Sequence, residues 1–342
     1  MLRAVHRASL FKNQLRSTPI APALRTMSTD LSTYKFNHTM LRVKDPQASL
    51  KFYRDTLGMS LVNKWDFEED KFSLYFLAYD SEGATEGGKP WSDREGILEL
   101  THNHGTENDP DFKPHNGNSD PRGFGHICIS VDNIQAACER LEKAGVKFQK
   151  RLTDGRQKDI AFALDPDNYW VEIIGQPQKA NVAETDLKNY RFNHTMIRVK
   201  DPRASLKFYT EQLGMEVVRK KVFDEAKFTL YFLAYTHGAG VPADDGRTNP
   251  VADREGILEL THNHGTESDP NFTPYHTGND EPKGYGHIAI SVDNIEAACK
   301  RFEENGVTFK KKLTDGRMNN IAFMLDPDGY WIEVIPKELA KE

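Results

Sequence analysis

The chain has 342 residues, 38% of them hydrophobic, with 45 Lys and Arg against 51 Asp and Glu and a formal net charge of −6. That length accommodates two ordinary domains, no apolar run approaches a membrane span, and the acidic balance argues against nucleic acid as a partner. The three cysteines, Cys128, Cys138 and Cys299, form no CxxC pair and are odd in number, which speaks against a disulfide framework or a Cys-rich zinc site and fits a reducing compartment.

The first 29 residues stand apart. They carry Arg3, Arg7, Lys12, Arg16 and Arg25, several Ser, Ala and Leu, and no acid before Asp30. This is the make-up of a mitochondrial presequence, while Met27 offers a second start and hence a cytosolic form. The expected localisation is the cytoplasm, the mitochondrial matrix, or both. Taking those five from the 45 basic residues leaves 40 against 51 acids, a net of −11.

The ordered elements follow from residue 34. A strand is expected over 38–43. Asp45-Pro46 then reads as an N-cap with Pro at the first helical position; Leu50, Tyr53 and Leu57 share one face, and Gly58 ends the helix. Strands near 60–65, 72–79 and 97–102 complete a βαβββ order. The same order returns: a strand over 126–131, a helix over 133–143 ended by Gly145, and strands near 146–150, 160–164 and 169–174.

All of this is then repeated. FNHTMLRVKDPQASLKFYRDTLGM (36–59) recurs as FNHTMIRVKDPRASLKFYTEQLGM (192–215), and DREGILELTHNHGTE stands verbatim at 93–107 and 253–267. The offset is 156 at His38/His194, 160 at Glu99/Glu259 and 161 at both His126/His287 and Glu172/Glu333, so small insertions fall in the polar loops near 80–92 and 112–121. The expected architecture is α+β: four βαβββ modules in two tandem homologous domains, 34–177 and 191–337, joined by a polar linker over 178–190 and preceded by the dispensable segment 1–29. The modules should curl into half-barrel sheets with their helices outside.

Four ligand-type residues recur on these strands. His38 and His126 open the first strand of their modules, while Glu99 and Glu172 lie in the last; the second half supplies His194, His287, Glu259 and Glu333. Strand alternation sets Glu99 on one face with Ile97 and Thr101, and Glu172 with Trp170 and Ile174. A carboxylate among large apolar residues needs something to offset its desolvation, and a metal ion does so. Two imidazoles and two carboxylates suit a divalent ion of intermediate hardness: Zn²⁺, Ni²⁺, Co²⁺ or Fe²⁺.

On NHTMLRVKDP, ELTHNHGTE, RGFGHICI and DPDNYWVEI, each with its counterpart in the second half, the chain closely resembles glyoxalase I. These are the lactoylglutathione lyases of the vicinal-oxygen-chelate superfamily, here in their long two-domain, monomeric fungal form. The resemblance covers about residues 34 to 337 and implies glyoxalase-like domains, Zn²⁺ as the usual metal and glutathione as cosubstrate. It implies that each metal lies between a module of one half and a module of the other. One site takes His38, Glu99, His287 and Glu333; the other takes His126, Glu172, His194 and Glu259. His104 and His264 stand where Trp is commoner in relatives.

The implied reaction is isomerisation of the methylglyoxal–glutathione hemithioacetal to S-lactoylglutathione, a 2-oxoaldehyde detoxification. It needs a base beside the metal, a role the resemblance gives to Glu333 and Glu172, with Glu99 and Glu259 as candidates for the opposite enantiomer. The glutathione positions correspond to Arg42, Asn103, Lys283 and Lys311 for one site, and to Arg198, Asn263, Arg122 and Lys150 for the other. Lys283 against Arg122 loses a planar fork, and Met318 stands against Gln157, so the two sites are expected to differ. Cys138 and Cys299 read as core, and Cys128, replaced by Ala289 in the other half, is no required nucleophile.

Overall fold

Four strand–helix–three-strand modules form, and the pairing of their first strands decides how they combine. The computed structural model describes residues 28–340 apart from 81–89, 156, 178–182, 242, 245–248 and 317. Nearly all of the acid-poor leader, and parts of the linker and of the first insertion loop, therefore lie outside the described residues.

In the first module β1 (Lys35–Val43) leads through α1 (Pro46–Leu50) to β2 (Ser60–Phe67), β3 (Phe72–Ala78) and β4 (Ile97–Asn103). The second has β5 (Phe124–Val131), α2 (Ile134–Lys143), β6 (Phe148–Lys150), β7 (Ile160–Leu164) and β8 (Trp170–Gly175). The third has β9 (Arg191–Val199), α3 (Pro202–Lys207), β10 (Glu216–Phe223), β11 (Phe228–Ala234) and β12 (Ile257–Asn263). The fourth has β13 (Tyr285–Val292), α4 (Ile295–Glu304), β14 (Phe309–Lys311), β15 (Ala322–Leu325) and β16 (Trp331–Pro336).

The caps follow the sequence signals. Asp45 accepts from the Gln47 N–H with Pro46 in the first turn, and Asn133 accepts from the Ala136 N–H. The first helix does not stay α-helical to its end, however. Lys51–Thr56 opens into a π-type turn, and Phe208–Gln212 does the same in the third module. The wider turn is where Phe52 and Tyr53, neighbours that an ideal helix sets about 100° apart, both go into the core. Gly58, at φ +81°, then ends the segment in the left-handed region.

Two eight-stranded sheets result, in the orders β14-β15-β16-β13-β1-β4-β3-β2 and β10-β11-β12-β9-β5-β8-β7-β6. Each sheet is shared between the halves: the first joins modules one and four, the second modules two and three. The seam is an antiparallel pair, β1 with β13 and β5 with β9, flanked on both sides by parallel pairs. It demands close approach. A Cβ on Gly284 would lie 2.0 Å from the His115 carbonyl oxygen and one on Gly123 1.9 Å from that of His276, so the backbone leaves room only for glycine at the start of each seam strand.

One face of the strands builds the core. Leu98, Leu100, Ile127, Ile129, Val171 and Ile173 pack there with Tyr53 and Leu57 from the first helical segment. The Tyr53 hydroxyl donates to Asp165 at 2.8 Å and the Tyr209 hydroxyl to Asp326 at 2.8 Å, tying the first module to the second and the third to the fourth. The alternate residues, Glu99 and Glu172 among them, are left to the opposite face, as strand alternation predicts. No helix among the described residues is long and apolar enough to cross a membrane.

Candidate metal centres

Strand register delivers four ligand-type side chains to each of two points. In the first sheet β1 pairs Met40 with Glu99 on one side and with His287 on the other, while β13 pairs Ala289 with both His38 and Glu333. In the second, Cys128 is the residue paired with His194 and Glu172, and Met196 the one paired with Glu259 and His126. His38, Glu99, His287 and Glu333 form one group, and His126, Glu172, His194 and Glu259 the other; in each, one donor atom per residue lies within 4.8 Å of every other. All eight side chains are buried.

The geometry of the two groups nearly coincides. His38 Nε2 is 3.0 Å from Glu99, 3.1 Å from Glu333 and 3.2 Å from His287 Nε2. His194 Nε2 is 3.1 Å from Glu172, 3.1 Å from Glu259 and 3.2 Å from His126 Nε2. His287 and His126 stand slightly farther from their carboxylates, at 3.4–3.7 Å and 3.6–3.9 Å.

The tautomer is set from behind. Asn37 Nδ2 donates to the carbonyls of Trp91, Ser92 and Arg94, which leaves its Oδ1 to accept from His38 Nδ1 at 2.8 Å. Asn193 does the same for His194 at 2.8 Å. Each Nε2 thus presents its lone pair to the cluster, the arrangement metal-binding imidazoles use. Sequence reasoning missed these asparagines, although the pair Asn-His stands in both copies of FNHT.

The donor set suits a dication. Two imidazole lone pairs and two carboxylates converge on one buried point, which is costly unless positive charge sits there. The histidine basicities register this. Burial pulls the His38 pKa down, yet Glu333 and Glu99 outweigh it and push it up to about 9. His287 and His194 are also raised against burial, whereas burial dominates at His126 and holds it down to about 3. Against burial, the imidazoles hold Glu99 and Glu333 below the ordinary carboxylate range.

The two carboxylates of a cluster are held differently. The Thr101 hydroxyl donates to Glu99 Oε1 at 2.9 Å, and the Thr261 hydroxyl to Glu259 Oε1 at 3.1 Å. Among the described residues Glu333 has only the two imidazoles as partners, and Glu172 the imidazoles and the Cys128 thiol. One carboxylate per cluster is therefore held by a threonine hydroxyl as well as by the imidazoles, and the other is not.

The surroundings are less alike. A cavity of about 670 Å³ opens on the His126 cluster, bordered by Arg122, Arg198 and Asn263. A cavity of about 190 Å³ meets the His38 cluster, bordered by Trp65, Trp91 and Met318. Arg42 and Arg198 act as braces across the seam: Arg198 donates to the carbonyls of Gly117, Gly123 and Phe124, and Arg42 to those of Gly278, Gly284 and Tyr285. Lys150 turns its Nζ to the carbonyls of Gln157 and Ile160, Lys311 to those of Met318 and Ile321, and Lys283 lies 3.5 Å from Glu281. Asn103, exposed, ends β4, and Asn263 donates to the Tyr275 hydroxyl. Cys138 and Cys299 are buried in the core, and Cys128 is wholly buried beside the His126 cluster. His104 bonds the Ser73 hydroxyl at 2.8 Å.

Comparison with known proteins points one way. The model of the Glyoxalase/Bleomycin resistance protein/Dioxygenase superfamily matches residues 35–173 and 191–334. A lactoylglutathione lyase of Schizosaccharomyces pombe is 57% identical over 316 residues, covering 91% of this chain and 99% of that one. A glyoxalase I of Saccharomyces cerevisiae is 52% identical over 314 residues, covering 90% and 94%. The crystal structure of glyoxalase I from Zea mays superposes with a TM-score of 0.64 at 28% identity, over 89% of this chain and 92% of that one.

Proposed function

We infer the reaction from one premise: the chain belongs to the Glyoxalase/Bleomycin resistance protein/Dioxygenase superfamily and, within it, to the lactoylglutathione lyases. The proposed reaction is isomerisation of the methylglyoxal–glutathione hemithioacetal to S-lactoylglutathione at both clusters. The observation that carries it is a buried pair of His₂Glu₂ clusters, each with one carboxylate held by a threonine hydroxyl and one without such a bond.

Each residue then has a task. Glu333 and Glu172, which accept from no threonine among the described residues, are the bases: a carboxylate oxygen takes the proton from C1 of the hemithioacetal, whose C–H electron pair becomes the C1–C2 double bond of an enediolate. The same carboxyl returns that proton to C2, the C1 hydroxyl proton passes to the C2 oxygen, and the thioester of lactate results. His38 and His194 keep their lone pairs inward through Asn37 and Asn193. A divalent cation held by these donors supplies positive charge next to the developing oxyanions, worth several kcal/mol; Zn²⁺ is the proposed ion, with Ni²⁺, Co²⁺ and Fe²⁺ as alternatives. Glu99 and Glu259, fixed by threonines, hold position and are the proposed bases for the opposite enantiomer.

Glutathione carries two carboxylates, which call for fixed cations and amides. Arg122, Arg198 and Asn263 border the wider cavity and fill that role there; Lys150, bonded to the carbonyls of Gln157 and Ile160 at that border, is the fourth proposed contact. Arg42, Asn103, Lys283 and Lys311 are the proposed equivalents at the other site. Since one chain supplies all eight donors, a monomer suffices for both sites. The test joins metal analysis of the purified chain to an assay of hemithioacetal isomerisation. Up to two divalent ions per chain and formation of S-lactoylglutathione are expected; metal-free protein that stays inert on adding any of the four ions would sink the reading.

A further inference from the structure

The unequal cavities trace to a few exchanged side chains. Aligning the halves sets Trp65 against Lys221 and Trp91 against Val251. At the narrow site the two indoles build a wall: the Trp65 ring lies 5.4 Å from Trp91, which lies 4.1 Å from Phe76 and 6.4 Å from His38. The C-terminal segment seals it. The Ser92 hydroxyl donates to the Lys337 carbonyl and accepts from the Leu339 N–H, setting Leu339 against the cavity.

At the wide site the aromatic floor is kept, with Phe232 5.6 Å from His194 and Phe223 stacked on Phe228 at 4.5 Å. Gln157 borders the cavity where Met318 borders the other, and the indole wall is gone. Lys221 stands in its place, its Nζ 5.4 Å from the Phe223 ring centroid. Lys221 lies on β10 at the sheet edge, three strands from Arg198 on β9, a span of roughly 14 Å at ordinary strand spacing. Register sets both in one cross-strand row, Lys221–Leu230–Thr261–Arg198, with Arg198 on the central strand that carries His194 and Lys221 at the rim of the sheet. Arg219, also on β10, is already paired with Asp244 at 2.8 Å. Beyond the cluster's own Glu172 and Glu259, Asp159 borders the same cavity.

With glutathione assigned to the Arg122–Arg198 wall, a reading this inference rests on, the Lys221 wall is left for the group on the ketone carbon. We propose that the two sites sort 2-oxoaldehydes by that side group: the Lys221 site takes long groups and those ending in a carboxylate, while the Trp65 site admits only small neutral ones. Lys221 and the Trp65–Trp91 pair are the specificity-determining residues.

Calorimetric titration of the full metal-loaded chain with thioethers of glutathione tests this without turnover. S-methylglutathione should bind two equivalents per chain, and S-(4-carboxybutyl)glutathione one. Two equivalents of the carboxybutyl compound at similar affinity would overturn the sorting. Lys221→Met should weaken the carboxybutyl compound about tenfold, the loss of one charge-assisted contact, and weaken the neutral S-pentylglutathione by less than about threefold. An equal loss for both would overturn the assignment of Lys221 to the side group, because it would then be reading glutathione itself. If S-methylglutathione fails to bind at all, the fault lies with the reaction proposed above and not with the sorting.

Discussion

The two clusters are alike to within a few tenths of an ångström at their shortest contacts, 3.0–3.2 Å in one and 3.1–3.2 Å in the other. Their cavities, at about 190 and 670 Å³, differ more than threefold. The reason is where each feature is built. The donors sit on the central strands of each sheet, where both neighbours fix the register and a one-residue slip would turn a ligand into the core. The differing wall residues sit on the edge strands β2 and β10, in the turn at Trp91 before β4 and on the C-terminal segment, where an exchanged side chain disturbs no hydrogen-bond ladder. Chemistry is thereby held constant while access varies.

The comparison can be broken most severely at the bases. Glu172→Gln and Glu333→Gln should each silence one site, and the double variant should lose at least ~10²–10⁴ of the activity, the usual range for a lost general base. Steady-state hemithioacetal turnover checks this; a double variant with more than a tenth of normal activity would show that Glu99 and Glu259 suffice.

Chelation should come next in size. Each cluster drives two buried carboxylates against two imidazole lone pairs, so removing bound metal should lower the melting temperature by several degrees and abolish activity. Calorimetry before and after chelation, with Zn²⁺ added back, measures it. An unchanged melting temperature would mean that protons fill the clusters as well as metal does.

A smaller effect is expected at the seal. Ending the chain after Lys337 removes Leu339 from the narrow cavity. In a Glu172→Gln background, where only that site works, kcat/KM for the phenylglyoxal hemithioacetal should rise severalfold relative to methylglyoxal. No change in that ratio would assign the restriction to the indoles alone.

The smallest effect lies where the halves touch. Glu255, equivalent to Glu95 in the repeat, is raised to about 7 by burial, which Arg94 and Arg191 only partly oppose. A carboxyl whose folded pKa exceeds its unfolded value binds its proton more tightly when folded, so stability falls as pH rises from about 4.5 to about 7. Glu255→Gln should flatten the melting temperature across that window, and an unaltered slope would place the titration elsewhere.

Much of this was legible in the sequence, for identifiable reasons. The duplication exposed His38, Glu99, His126 and Glu172 through their copies, and strand alternation put both glutamates on the face away from Leu98 and Ile173. Asp45-Pro46 and Asn133 marked helix starts because capping is local. The sharing of sheets between halves was not legible, since it depends on β1 meeting β13, some 250 residues away, and only resemblance supplied it. The π-type turn at Lys51–Thr56 reflects tertiary packing of Phe52 and Tyr53, which overrides the helical period. Trp65 and Leu339 looked unremarkable because a wall is defined by what stands across from it. The leader's role in targeting lies with residues outside those described.

The central claim is that each working site draws its donors from both halves, and two double variants test it directly. His38→Ala with Glu333→Gln places both lesions in one cluster, whereas His38→Ala with Glu172→Gln places one in each. Measured as hemithioacetal isomerisation, the first should retain the turnover of the intact His126 site, and the second should be nearly inactive. The opposite result, with the first pair inactive and the second still turning over, would mean that each half builds its own centre and would contradict the account.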